Sequence, residues 1–171
     1  MSRKRIREDV VYKFEELSED AKDKAVELLG DINVDHDWWE CTYDDAENIG
    51  LKIDSFDIDR ASYVKGHFLK SAEESAEEVA KNIISEHGKD CETYKTAAAY
   101  IEELNKIKAK TPDDEDIYSD DEDAEFLRLL CEDYRIILTH EYEYLTGRES
   151  IVETIKANEY EFTEDGKLIS V

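Results

Sequence analysis

The sequence predicts an α+β fold, dominated by helices and carrying a small antiparallel sheet, in a single domain over residues 1–171. Apolar residues recur at helical spacing in several stretches that close on glycine. Short β-branched and aromatic runs come in pairs around turn residues. A length of 171 residues, 40% of them apolar, suits one hydrophobic core.

Val10-Val11-Tyr12-Lys13-Phe14 reads as a short strand. Ser18 is placed to cap a helix whose Ala21, Ala25, Leu28 and Leu29 share a face and which Gly30 stops. A second helix from about Asp37 aligns Trp39, Tyr43, Ala46 and Ile49 and ends at Gly50; the two neighbouring helices are expected to pack together. Residues 51–60 alternate imperfectly, with Leu51 and Ile53 on one phase and Phe56 and Ile58 on the other, so the strand there needs a bulge near Asp54-Ser55. A strand from Tyr63 to Leu69 completes a hairpin that turns at residues 59–62.

Ser71-Ala72-Glu73-Glu74 has the pattern of a capping box, and Ala72, Ala76, Val79, Ala80 and Ile83 carry a helix forward to Gly88. A further helix runs from about Glu92 through Tyr94, Ala97, Ala98, Ile101, Leu104 and Ile107 and stops before Pro112, so the middle of the chain is expected to be a helical hairpin. Residues 113–125 hold nine acids in thirteen positions, too much self-repulsion and too little apolar surface for regular structure, and read as a mobile loop. From about Ala124 to Leu145 a long helix would turn Phe126, Leu129, Leu130, Tyr134, Ile137 and Leu138 inward. A short helix around residues 151–155 follows, and Tyr160-Glu161-Phe162 with residues 167–169, joined through Glu164-Asp165-Gly166, forms a closing hairpin.

The formal net charge is -24 and the isoelectric point is near 4.4. Acids are concentrated at the two ends: residues 1–57 carry 17 acids and 8 bases, residues 58–112 carry 10 and 9, and residues 113–171 carry 19 and 5. A chain adapted to high salt would acidify its whole surface and avoid lysine, whereas here the middle is nearly neutral and 15 of 22 bases are Lys. Such a charge repels nucleic acid and anionic membranes and favours a basic protein surface as partner. Cys41, Cys91 and Cys131 are odd in number and widely spaced, which fits neither a disulfide framework nor a zinc site. With no signal-peptide pattern at Met1-Ser2-Arg3-Lys4-Arg5 and no apolar run of membrane-spanning length, the expected location is the cytoplasm.

Asp31-x-Asn33-x-Asp35 has the alternate-oxygen spacing that opens a calcium loop. His36 occupies the place of the required glycine and Thr42 that of the closing glutamate, so a polar connector is the better reading. His36 with Asp35, Asp37, Glu40 and Asp44 has the residue types of a metal or acid–base cluster, and a metal-dependent enzyme built on residues 31–44 is the third of three functional readings. No nucleophile or phosphate-cradling pattern stands out; neither catalytic activity nor a cofactor is expected. Trp38 and Trp39 point about 100° apart on a helix. One of them is therefore expected to be partly exposed, a candidate anchor for a partner.

The stretch Tyr12-Lys13-Phe14-Glu15-Glu16-Leu17-Ser18-Glu19-Asp20-Ala21-Lys22-Asp23-Lys24-Ala25, with Trp38-Trp39-Glu40, Tyr43-Asp44-Asp45-Ala46 and Ile49-Gly50, resembles small acidic phage and prophage proteins loosely labelled antitoxin-like. Glu141-Tyr142-Glu143-Tyr144-Leu145 and residues 155–166 are similar to the same group. The resemblance carries no catalytic motif. It implies a setting in which an acidic protein blocks a basic host machine that binds nucleic acid, such as a CRISPR effector or a restriction nuclease, by imitating the nucleic acid. The candidate contacts are Asp113, Asp114, Glu115, Asp116, Asp120, Asp121, Glu122, Asp123 and Glu125, continued on the long helix by Glu132 and Asp133, with Trp38 as apolar anchor. The second reading is an antitoxin-like binder that covers its partner by shape.

Overall fold

The computed structural model describes residues 10–70, 75–110 and 120–169. It is an α+β fold in which helix predominates, with two separate two-stranded antiparallel ladders. The chain divides into two compact units, residues 1–38 with 142–171, and residues 39–141. Each has its own apolar cluster, where the sequence suggested one core.

In the first unit, β1 (Tyr12–Lys13) pairs antiparallel with β4 (Glu161–Phe162). A 3-10 turn over Phe14–Glu16 replaces the end of the expected strand. Helix α1 (Glu19–Leu28) begins where the sequence indicated: the Ser18 hydroxyl accepts from the Ala21 amide at 3.3 Å. Ala21 and Ala25 are buried, whereas Leu28, expected on their face, is exposed, because the helix ends there. Helix α6 (Arg148–Ala157) packs against α1 and buries Ile151 and Ile155 with Phe14, Leu17 and Phe162. The closing turn forms as expected, with Thr163 and Lys167 joined through the backbone and Gly166 at φ 80.

In the second unit, α2 (Glu40–Ile49) ends on Gly50 in the left-handed region at φ 98. It leads straight into β2 (Leu51–Asp57), which pairs with β3 (Tyr63–Phe68). The register shifts between Ile53 and Ser55, so the irregular alternation of the sequence does record a bulge. Where sequence adjacency suggested that α1 and α2 pair, α1 packs on α6 and α2 on β2 and α3. Helices α3 (Ser75–Glu86) and α4 (Glu92–Lys110) form the expected hairpin. The capping box at residues 71–74 lies outside the described residues.

Helix α5 runs over Asp120–Leu145. It starts before the expected Ala124, so residues 120–125 of the anticipated loop are helical. Residues 113–119 lie outside the described residues. Of the expected inward stripe, Phe126, Leu130, Tyr134 and Leu138 are buried, but Leu129 and Ile137 are each 39% exposed. The buried four keep a strict four-residue step; Leu129 and Ile137 sit one position before it and fall to the flank of the stripe.

Candidate functional site: an acid-rimmed groove between two helices

Helices α4 and α5 each contribute one wall of a groove in the second unit. Tyr100 and Phe126 are buried in the core and stack at 4.4 Å between ring centroids, 17° from parallel. Phe68 also stacks with Phe126, at 5.9 Å between centroids. The Tyr100 hydroxyl donates to Asp123 Oδ1 at 2.6 Å, which ties α4 to the first turns of α5. Burial, then the Asp123 carboxylate, pushes the Tyr100 phenol far above its ordinary range, so it stays a donor. Above this aromatic floor lies a groove of about 580 Å³ whose apolar surface comes from Ala99, Tyr100, Phe126 and Leu129. Glu103, Asp121, Glu122 and Glu125 stand on its rim, with Lys95 at one end.

The remaining carboxylates predicted for partner binding are divided by the fold. Glu125 receives a two-pronged bond from Arg128, at 2.8 and 2.7 Å, and Glu132 the same from Arg135. In each case the guanidinium holds the carboxyl below its usual range. Asp133 accepts from the Thr96 hydroxyl at 2.7 Å. Desolvation raises its pKa despite that bond, and Glu92 and Glu132 add to the rise. Among the described residues no hydrogen bond or ion pair engages the side chains of Asp121 and Glu122. Asp113, Asp114, Glu115 and Asp116 lie outside the described residues; Asp120 is the first residue of α5.

Trp38 is half-buried against Tyr142 at 5.6 Å, and Trp39 is half-buried against Phe56 at 5.5 Å. Both indoles are partly exposed, where one was expected to be, and each ring finds a different aromatic neighbour. Asn33 spends both ends of its amide inside the first unit, donating to the Leu145 carbonyl at 2.9 Å and accepting from Thr154 at 2.7 Å. The segment connects, but it does not cap the helix that follows Trp38 and Trp39 as the sequence suggests: α2 has no side-chain cap. Among the described residues no group of three or more His, Cys, Asp or Glu is placed to hold a metal ion.

Sequence reasoning missed a polar chain that runs from buried Thr93 to the exposed carboxylate of Asp45. Thr93 Oγ1 lies 2.7 Å from His87 Nδ1, His87 Nε2 lies 3.5 Å from Asp45 Oδ1, and Asp45 Oδ2 accepts from Tyr134 at 2.8 Å. Hydroxyl, imidazole and carboxylate follow one another in the order of a nucleophilic triad, but His87 Nε2 makes no hydrogen bond among the described residues, so imidazole and carboxylate are not joined as a triad requires. Thr93 is only 2% exposed, so its hydroxyl cannot meet a substrate, and the hydrogen bonds serve to join the loop after α3 to α4 and α2 to α5. Nothing in the sequence spacing of positions 45, 87, 93 and 134 signals it.

Among the described residues no helix is long and apolar enough to cross a membrane. No protein-family model, curated protein or solved structure matches the chain.

Proposed function

We propose that the protein is an acidic binding inhibitor that occupies the basic, nucleic-acid-binding surface of a host protein, with carboxylates in place of phosphates. A CRISPR effector or a restriction nuclease, met in a phage or prophage setting, is the kind of target that fits. The observation that carries the reading is the net charge of -24 with 19 acids against 5 bases after residue 112. At the start of α5 that charge sits on a helix held from below by Phe126, Leu130 and Tyr134. Fixed carboxylates on such a support steer a basic partner and cost it less ordering than a flexible tail would.

Ion pairs and hydrogen bonds within the chain support a narrower contact set. Glu125 and Glu132 are neutralised by arginines, and Asp123 and Asp133 face Tyr100 and Thr96, so Asp121 and Glu122 are the described carboxylates left to meet a partner. The test is inhibition of a panel of bacterial restriction nucleases and CRISPR effectors acting on their own substrates. Inhibition that weakens with salt and with excess nucleic acid, and that Asp121→Asn with Glu122→Gln reduces, is expected. Inhibition that ignores both substitutions would end the mimicry reading.

A further inference from the structure

The groove between α4 and α5 has more in it than charge. Leu129 is 39% exposed and Ala99 is also exposed, although both stand beside a concave aromatic floor. Isolated exposed leucines are ordinary, but apolar surface gathered in a groove and ringed by polar groups marks a place where another molecule sits. A volume of about 580 Å³ takes a few side chains rather than a domain.

We infer that this groove docks a basic amphipathic segment of a partner protein, its apolar side chains lying on Ala99, Tyr100, Phe126 and Leu129 and its lysines or arginines facing Asp121 and Glu122. Charge complementarity selects this occupant. A second copy of the chain would bring a rim of the same sign, and nucleic acid or an anionic bilayer would be repelled by the net charge of -24. A basic helix or extended segment satisfies both rim and floor. The inference rests on the reading of a basic partner and adds to it where the partner is gripped and that shape, as well as charge, selects it.

The test uses the full chain and three synthetic peptides of equal length: a Leu/Lys amphipathic helix, a Ser/Lys peptide of the same charge, and a Leu/Glu helix of the same apolar pattern. Binding is followed by amide NMR. The Leu/Lys peptide is expected to perturb residues around Ala99, Tyr100 and Leu129, the Ser/Lys peptide to bind about tenfold more weakly, as the loss of one buried leucine would cause, and the Leu/Glu peptide not to bind. Leu129→Ser, a change at an exposed position, should weaken the Leu/Lys peptide and leave the Ser/Lys peptide alone. Ala99→Gln on the opposite wall should do the same, so the outcome does not depend on the folding of one variant. Equal binding of the two basic peptides, binding of the Leu/Glu peptide, or perturbations away from the groove would each overturn the inference. None of these results bears on nuclease inhibition, and loss of that inhibition reading would leave the peptide map standing.

Discussion

The hydroxyl of Tyr134, a side chain with no exposed surface, donates to Asp45 Oδ2 at 2.8 Å and so fastens the middle of α5 to α2. Burial, reinforced by the Asp45 hydrogen bond and charge, keeps the phenol protonated far above its ordinary range. Tyr134→Phe keeps the ring and removes one bond, and should cost about 1 kcal/mol in denaturant unfolding. Asp45→Ala strands the buried hydroxyl and should cost more, about 1–3 kcal/mol. If Asp45→Ala proves the cheaper change, the hydroxyl has another acceptor.

Asp133 gives a pH dependence of opposite sign to that of most carboxylates. Its folded pKa is raised, chiefly by desolvation, so the folded state holds the proton more tightly than the unfolded chain. Stability from this group is present below the ordinary aspartate range and lost as pH climbs through the raised folded value. Asp133→Asn, which still accepts from Thr96, should therefore raise the thermal midpoint at neutral pH, with the gain shrinking in acid. A midpoint that falls at neutral pH would show that the charge, not merely the acceptor, is needed.

Asp165 responds in the usual direction. Bonds from Thr163, then Lys24 at 2.9 Å, then Lys167 hold its carboxyl well below the ordinary range. Its contribution is complete above the unfolded pKa and disappears as pH falls toward the folded one. Asp165→Asn should flatten the acid limb of the first unit's unfolding, read as a smaller midpoint loss between neutral and acid pH than in the parent.

Gly166 closes the last turn at φ 80, and a Cβ there would strike the backbone of Ala21 in α1. The backbone angle and the clash act together, and neither obstacle is the end of a flexible side chain. Gly166→Ala should destabilise by more than about 1 kcal/mol. Amide exchange would be expected to accelerate in β4 and α1; exchange unchanged there would mean that the turn relaxes freely.

How much of this was readable beforehand follows from the range over which each interaction acts. The Ser18 cap, the Gly50 stop and the bulge between Ile53 and Ser55 depend on neighbouring residues, and the sequence shows all three. The pairing of β1 with β4, and of α1 with α6, joins residues at the two ends of the chain, where local pattern is silent. Helix formation at residues 120–125 was missed because self-repulsion among acids was set against propensity alone, without the Tyr100–Asp123 bond and the Arg128–Glu125 pair that offset it. The acidic candidates were visible as residue types. Which of them face inward was not, since Thr96 and Tyr100, which take up Asp133 and Asp123, lie 37 and 23 positions away.

Whether carboxylates at the start of α5 grip a basic nucleic-acid-binding partner is decided by capture from bacterial lysate on two matrices. One carries the parent protein, the other the Asp121→Asn, Glu122→Gln variant. The parent should retain a basic nucleic-acid-binding protein that elutes with salt or with added duplex DNA or RNA, and the variant should retain it poorly. Equal retention by both matrices, indifferent to salt and to nucleic acid, would contradict it.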